Sequence, residues 1–170
     1  VIPNSTDCLL KTSNESLKNP FDSNVKNLMW AGRLIKEKQC DKVIKALTLL
    51  PKDVNLHILG SGPETENLVK LCKDLYLTNR LVFHGHIEYG DIGPYYAYAD
   101  LFIHSISGPY TFSRTTLESV MFGTPVVADS MGDVYDMLPN SSVTYDSSTE
   151  DLAAVVGEAL DDKDIYSTLV

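Results

Sequence analysis

The chain has 170 residues, 44% of them apolar and 22% charged, and 14 Lys and Arg against 23 Asp and Glu give a net charge of −9. That balance fits one packed domain needing no metal or disulfide scaffold, and it speaks against nonspecific nucleic-acid binding, which rests on basic side chains neutralising phosphates. The longest apolar stretches, around Val25 to Ala31 and Pro125 to Ala128, fall far short of the roughly 20 residues that cross a bilayer. Cys8, Cys40 and Cys72 are odd in number and widely spaced, a pattern that predicts reduced, structural thiols. The opening Val1-Ile2-Pro3-Asn4 lacks the basic and then long apolar regions of a secretory signal, so a cytoplasmic setting is the expectation.

Residues 1–24 are rich in Asn, Ser, Asp and Pro without sustained periodicity and read as an extended connector, with one domain over 25–170. From Val25 onward, β-rich runs alternate with amphipathic stretches. Val25 to Ala31 is the first predicted strand, and Val43, Ile44, Leu47 and Leu50 then share one helical face. Val54 to Leu59 follows as a strand, then a helix with Leu68, Leu71, Cys72 and Leu75 on one side. Pro63 is expected at that helix's first position. Leu81 to His84, Leu101 to His104, Pro125 to Ala128 and Val143 to Tyr145 complete six strands. A last helix carries Leu152, Val155, Val156, Ala159 and Leu160, with Ser147 and Glu150 as its capping box. Alternation of this kind implies right-handed crossovers, and the predicted fold class is α/β: a Rossmann-like doubly wound, parallel six-stranded sheet with helices on both faces.

Open parallel sheets bind ligands outside the carboxyl ends of their strands, and the unusual residues collect there. Gly60-Ser61-Gly62-Pro63 ends a strand and opens a helix, so its N–H groups could receive a phosphate, or simply make a tight turn. It is a poor dinucleotide fingerprint, with Thr65 where a third Gly would stand. Arg33 and Lys38 share the loop after the first strand, where two cations could neutralise a diphosphate despite the acidic balance; solvated surface charge is the alternative. Glu118, early in a helix after the polar loop from Ser105 to Thr116, could accept two hydrogen bonds from a diol such as ribose, or answer the helix dipole. His84 and His86 read as structural rather than metal ligands, and nothing in the sequence assigns a role to His57 or His104.

Taken together, these loops resemble the C-terminal, nucleotide-sugar-binding half of the retaining glycosyltransferases of the GT-B fold, the group 1 family. Gly32-Arg33-Leu34 with Lys38 is similar to G-R-L-x-x-x-K, Gly60-Ser61-Gly62-Pro63-Glu64 to G-x-G-P-E, and Val82-Phe83-His84-Gly85 to V-x-F-x-G. Glu118 to Ala128 resembles E-A-M-A-x-G-T-P-V-V-A, and Val1 to Asp7 resembles an interdomain segment, V-I-P-N-G-V-D. The resemblance implies a nucleoside diphosphate sugar, UDP- or GDP-linked, as donor substrate, and neither cofactor nor metal. It implies that Arg33 and Lys38 contact the diphosphate as catalytic groups and that Glu118 holds the ribose. Backbone groups near Ile87 would hold the base, with the N–H groups of Arg114 and Thr115 approaching the phosphates. Gly32, Gly60, Gly62 and Tyr110 complete the implied donor site.

The family's E-x7-E pattern would place an acid at Tyr110, and the chain has none between Ser105 and Leu117. Two other readings therefore stay open, a noncatalytic interaction module and a sugar-nucleotide epimerase on the same fold. The resemblance also implies an N-terminal acceptor domain elsewhere in the whole protein, a membrane-associated acceptor as one option, and nucleotide binding without useful transfer by this domain alone.

Overall fold

The computed structural model describes residues 18–107, 113–130, 142–146 and 148–161. Six strands form one sheet: β1 Lys26–Ala31, β2 Val54–Leu59, β3 Leu81–Gly85, β4 Leu101–His104, β5 Val126–Asp129 and β6 Ser142–Tyr145. Their order is β3-β2-β1-β4-β5-β6, and every pairing is parallel. The helices are α1 Cys40–Leu47, α2 Thr65–Asp74, α3 Gly93–Tyr98, α4 Arg114–Met121 and α5 Thr149–Asp161, with a 3₁₀ turn at Lys36–Lys38. Strand order reverses between β1 and β4, which makes their carboxyl ends the switch point of a doubly wound fold.

Both faces of the sheet are covered, as the near-continuous apolar strands require. Leu28, Trp30, Leu56, Ile58, Leu101 and Ile103 pack in one cluster with Val43, Ile44 and Leu47 of α1, Leu68 of α2 and Leu152 and Val156 of α5. Met29, Ala31, Phe102 and Val126 pack on the other face with Tyr96 of α3 and with Val120 of α4. The six strands and three helical faces expected from the sequence are present, and Cys40 and Cys72 are buried free thiols. Cys8 lies outside the described residues. α3 has no counterpart among the predicted helices, because six residues reading Gly-Pro-Tyr-Tyr-Ala-Tyr are too short and too evenly aromatic to show a helical stripe.

Two helix ends differ from expectation. Pro63 precedes the Glu64 N-cap of α2 rather than opening the helix. Ser148, one residue after the predicted Ser147, caps α5 by accepting from the Asp151 N–H at 3.0 Å, and Ser147 itself lies outside the described residues. Two helix C-termini, those of α4 and α2, follow the Schellman pattern. In α4, Gly123 at φ +79° donates to the Val120 carbonyl and Thr124 to that of Ser119. In α2 the same pair of bonds runs from Tyr76 to Lys73 and from Leu77 to Cys72, but the left-handed position is Tyr76 at φ +57°.

Packing begins at Phe21, ahead of Val25, with its ring 4.2 Å from that of His57. Both amide protons of Asn27 go to the carbonyls of Asp22 and Val25, so Asn27 Oδ1 faces His57 Nε2, 3.1 Å away, as an acceptor. His57 is therefore the Nε2–H tautomer, and its bare Nδ1 accepts from His84 Nε2 at 3.0 Å. Burial, with His84 beside it, pushes His57 down to about 4.

Tyr76 is 93% exposed, so Tyr76→Gly loses almost no packing while relieving the left-handed strain; it is expected to raise the urea-unfolding free energy by about 0.5 to 1 kcal/mol, and a loss of stability would contradict this. The histidine chain sets a pH dependence. A histidine that binds its proton less readily folded than unfolded contributes stability above pH 6.5 that is lost as pH falls toward 4. For His57 the loss is on the order of 2 kcal/mol once solvent screening is allowed for. Denaturation curves should show this fall between pH 6.5 and 4, with a shallower one in His57→Gln; parallel curves would contradict the assignment.

Candidate functional site

The strand-end loops are laced together by backbone contacts that admit no side chain. Gly60 sits at φ +131°, and a Cβ there would lie 1.9 Å from the Gly32 carbonyl oxygen; at Gly62 it would lie 2.3 Å from that of Leu34. Gly60 donates its amide to Gly85 at 2.7 Å and Gly32 donates to Leu59 at 3.0 Å, while the Gly62 amide goes to Thr65 Oγ1 at 3.2 Å. The Gly60 and Gly62 amides that the sequence offered to a phosphate are engaged within the fold, and what these glycines supply is close approach.

Above this floor lies a cleft of about 470 Å³ lined by the β1 loop (Gly32, Arg33), the β2 loop (Gly60, Ser61), the β3 loop (His86, Ile87, Tyr89) and α4 (Arg114, Thr115, Glu118). Seven of the sequence-selected residues meet there: Gly32, Arg33, Gly60, Ile87, Arg114, Thr115 and Glu118. Arg114 opens α4 behind the Ser113 N-cap, whose Oγ accepts from the Thr116 amide, so two guanidinium groups and a helix N-terminus border the same space. Gly62 lies outside the lining, and Tyr110 lies outside the described residues.

Lys38 takes a different position from Arg33. The 3₁₀ turn carrying it is tied to the end of β4 by Ser105 Oγ donating to the Lys38 carbonyl at 2.7 Å and the Ser107 amide donating to that of Glu37 at 2.7 Å. Ser105 Oγ in turn accepts from Trp30 Nε1 at 3.0 Å. Lys38 is half-buried, which lowers its pKa, and it stands beside His104. Both ring nitrogens of His104 are buried without a hydrogen-bond partner among the described residues, and burial together with the Lys38 charge pushes it down to about 4.

Glu118 is buried in the second turn of α4. Its carboxylate is held within the fold, where Tyr96 Oη donates to Oε2 at 3.0 Å, and Tyr89 lines the cleft with it. Burial raises the Glu118 pKa, while the two phenols and Arg114 pull it back toward the charged form. Tyr96 is locked by Phe122, stacked with ring centroids 5.9 Å apart, and by Phe102 at 5.8 Å. Sequence reasoning missed Tyr89 and Tyr96, and it read His86, which lines the cleft, as structural. The usable signal was a carboxylate near a helix start that needs donors when buried, with the tyrosines of residues 89–98 lying just before the preceding strand. Among the described residues, no three His, Cys, Asp or Glu side chains gather as a metal set, and no helix is long and apolar enough to cross a membrane.

A family profile described as "Glycosyl transferases group 1" matches residues 12–169. The chain belongs to that family, and its fold is the Rossmann-like fold of GT-B glycosyltransferases. It is 38% identical over 112 residues to the lipopolysaccharide core biosynthesis glycosyltransferase LpsE of Rhizobium meliloti, a match covering 66% of this chain and 31% of LpsE. It is 34% identical over 106 residues to the alpha-monoglucosyldiacylglycerol synthase of Streptococcus pneumoniae, covering 61% of this chain and 24% of that enzyme. The crystal structure of Anabaena HepE in complex with UDP superposes at TM-score 0.79 and 25% identity, over 86% of this chain and 42% of HepE. The matched part of this chain thus spans about a third of the length of LpsE.

Gly60→Ala forces a Cβ against the Gly32 carbonyl and is expected to cost about 2 to 4 kcal/mol in chemical denaturation. A variant as stable as the wild type would show that the loops can part.

Proposed function

We propose that this domain holds the nucleoside diphosphate sugar donor of a retaining glycosyltransferase. The carrying observation is that Arg33, Arg114, the start of α4, Glu118 and Ile87 border one cleft at the carboxyl edge of the sheet. Arg33 and the first amides of α4 meet the diphosphate, Glu118 accepts from the ribose diol, and backbone near Ile87 holds the base. Lys38, on the far end of the same loop, meets the charge that develops on the diphosphate as the sugar leaves, together with Arg33. This division puts cationic side chains, rather than a resident metal, in charge of leaving-group stabilisation.

The complexes of HepE with UDP and with UDP-glucose, at 25% and 26% identity, support a uridine donor over the GDP alternative. The acceptor is supplied by a companion domain, since transfer draws much of its rate from holding both substrates together. This domain alone therefore binds donor without useful turnover. The names of LpsE and of the Streptococcus pneumoniae synthase support a lipid-linked acceptor, reached by the whole protein from the cytoplasmic side of a membrane.

A thermal-denaturation titration of the chain with UDP, GDP, ADP and dTDP and their common sugars tests the reading. A ligand at 100 times its Kd adds about 2.7 kcal/mol, and both Arg33→Ala and Glu118→Ala are expected to abolish that gain. A shift that survives both substitutions places the nucleotide elsewhere.

A further inference from the structure

Asp129 ends β5 with no solvent exposure, and Lys42 in the first turn of α1 reaches it with Nζ 3.2 Å from Oδ2. The Lys42 side chain is only 12% exposed, and its ammonium stands 5.5 Å from the centre of the buried Tyr145 ring at the end of β6. Nothing local asks for this arrangement. A cation in the first turn opposes the helix dipole, two charges taken out of water stabilise a fold only in well-held geometry, and Val43, Ile44 and Leu47 already pack α1 on the sheet. What the pair adds is a fixed starting point for the helix.

Lys38 lies four residues earlier, and between them the chain turns at Gln39 with φ +47°. That left-handed conformation is unfavourable for any residue with a Cβ and persists only where both flanks are held. On the near flank, Ser105 Oγ and the Ser107 amide donate to the carbonyls of Lys38 and Glu37, which binds the 3₁₀ turn to β4. On the far flank, the Lys42 amide donates to the Gln39 carbonyl at 3.0 Å, and the Lys42 side chain ties that residue to β5.

We propose that Lys42 and Asp129 are positioning residues for the cleft: their ion pair anchors the start of α1 on β5, holds the left-handed turn at Gln39, and so sets where Lys38 presents its ammonium to the terminal phosphate of a nucleoside diphosphate. The inference rests on the donor-site reading and deepens it. Neither residue touches the ligand, and each acts through Lys38. Without the pair, Gln39 relaxes and Lys38 loses its aim, while the inner phosphate keeps its contacts with Arg33 and α4.

The test is calorimetric titration with UDP, UMP, GDP and GMP, so that each base is compared with and without the terminal phosphate. The chains are the wild type, Lys38→Ala, Lys42→Met combined with Asp129→Asn so that no buried charge is left alone, the triple variant, and Lys42→Arg. Lys38→Ala and the paired variant are each expected to weaken the diphosphate about tenfold and to leave the monophosphate within about twofold. The triple variant should be no weaker than Lys38→Ala, because coupled residues do not add, and Lys42→Arg should keep the wild-type ratio. Should the paired variant not fold, Lys42→Gln leaves Asp129 a donor and is expected to lower the diphosphate preference in the same direction. A preference unmoved by Lys38→Ala or by the paired variant, a loss that falls on both nucleotides alike, or losses that add in the triple variant overturn the inference and leave the ion pair a stability element. In those cases diphosphate binding by the wild type that Arg33→Ala removes keeps the donor-site reading standing. Failure of the wild type to bind either diphosphate overturns both.

Discussion

The functional face of this domain depends on one steric constraint, the approach of the β2 end to the β1 end where a Gly60 Cβ would meet the Gly32 carbonyl at 1.9 Å. Because no side chain intervenes, the β1, β2 and β3 ends are stitched through Gly32 to Leu59 and Gly60 to Gly85, and their loops rise from one continuous floor. Arg33, Ser61 and Ile87 then emerge from adjacent backbones and border the same cleft. The glycine turn, which looks from sequence like an anion cradle, earns its place by letting three loops share one surface.

The opposite wall is organised around a carboxylate. Burying Glu118 would drive it toward the neutral acid, and the fold opposes this with the Tyr96 donor from α3 and with the nearby Arg114 charge. Tyr96 can serve because Phe102 and Phe122 fix its ring and because its own carbonyl accepts from Thr124 Oγ1. The helix α3 thus joins the apolar core of one sheet face to the polar wall of the cleft. Across the switch point, the turn bearing Lys38 is fastened to β4 through Ser105 and Trp30, which separates the two cations of the β1 loop into an exposed arm and a half-buried one.

Much of this was legible from residues alone. The strands are short β-branched and aliphatic runs stopped by Gly, Pro or Asp, so their existence and order followed from pattern, with ends within a residue of those observed. Family-like signatures selected the loops that line the cleft because those signatures sit at strand ends. Hidden from sequence were facts created by the tertiary structure. The amides of Gly60 and Gly62 are consumed by Gly85 and Thr65, partners from the next strand and helix. Tyr96 looks like ordinary aromatic core until a carboxylate 22 residues beyond it is brought against its hydroxyl. The divergence of Arg33 and Lys38 likewise depends on the 3₁₀ turn docking on β4, which no local pattern announces.

The central claim is that the laced strand ends and the phenol-held carboxylate form one nucleotide site. A crystal structure of the chain soaked with UDP tests it most directly. The account predicts the ribose hydroxyls within hydrogen-bonding distance of Glu118, the diphosphate against Arg33 and the first turn of α4, and the base beside Ile87. A nucleotide bound with its ribose away from Glu118, or its phosphates away from Arg33, would contradict it.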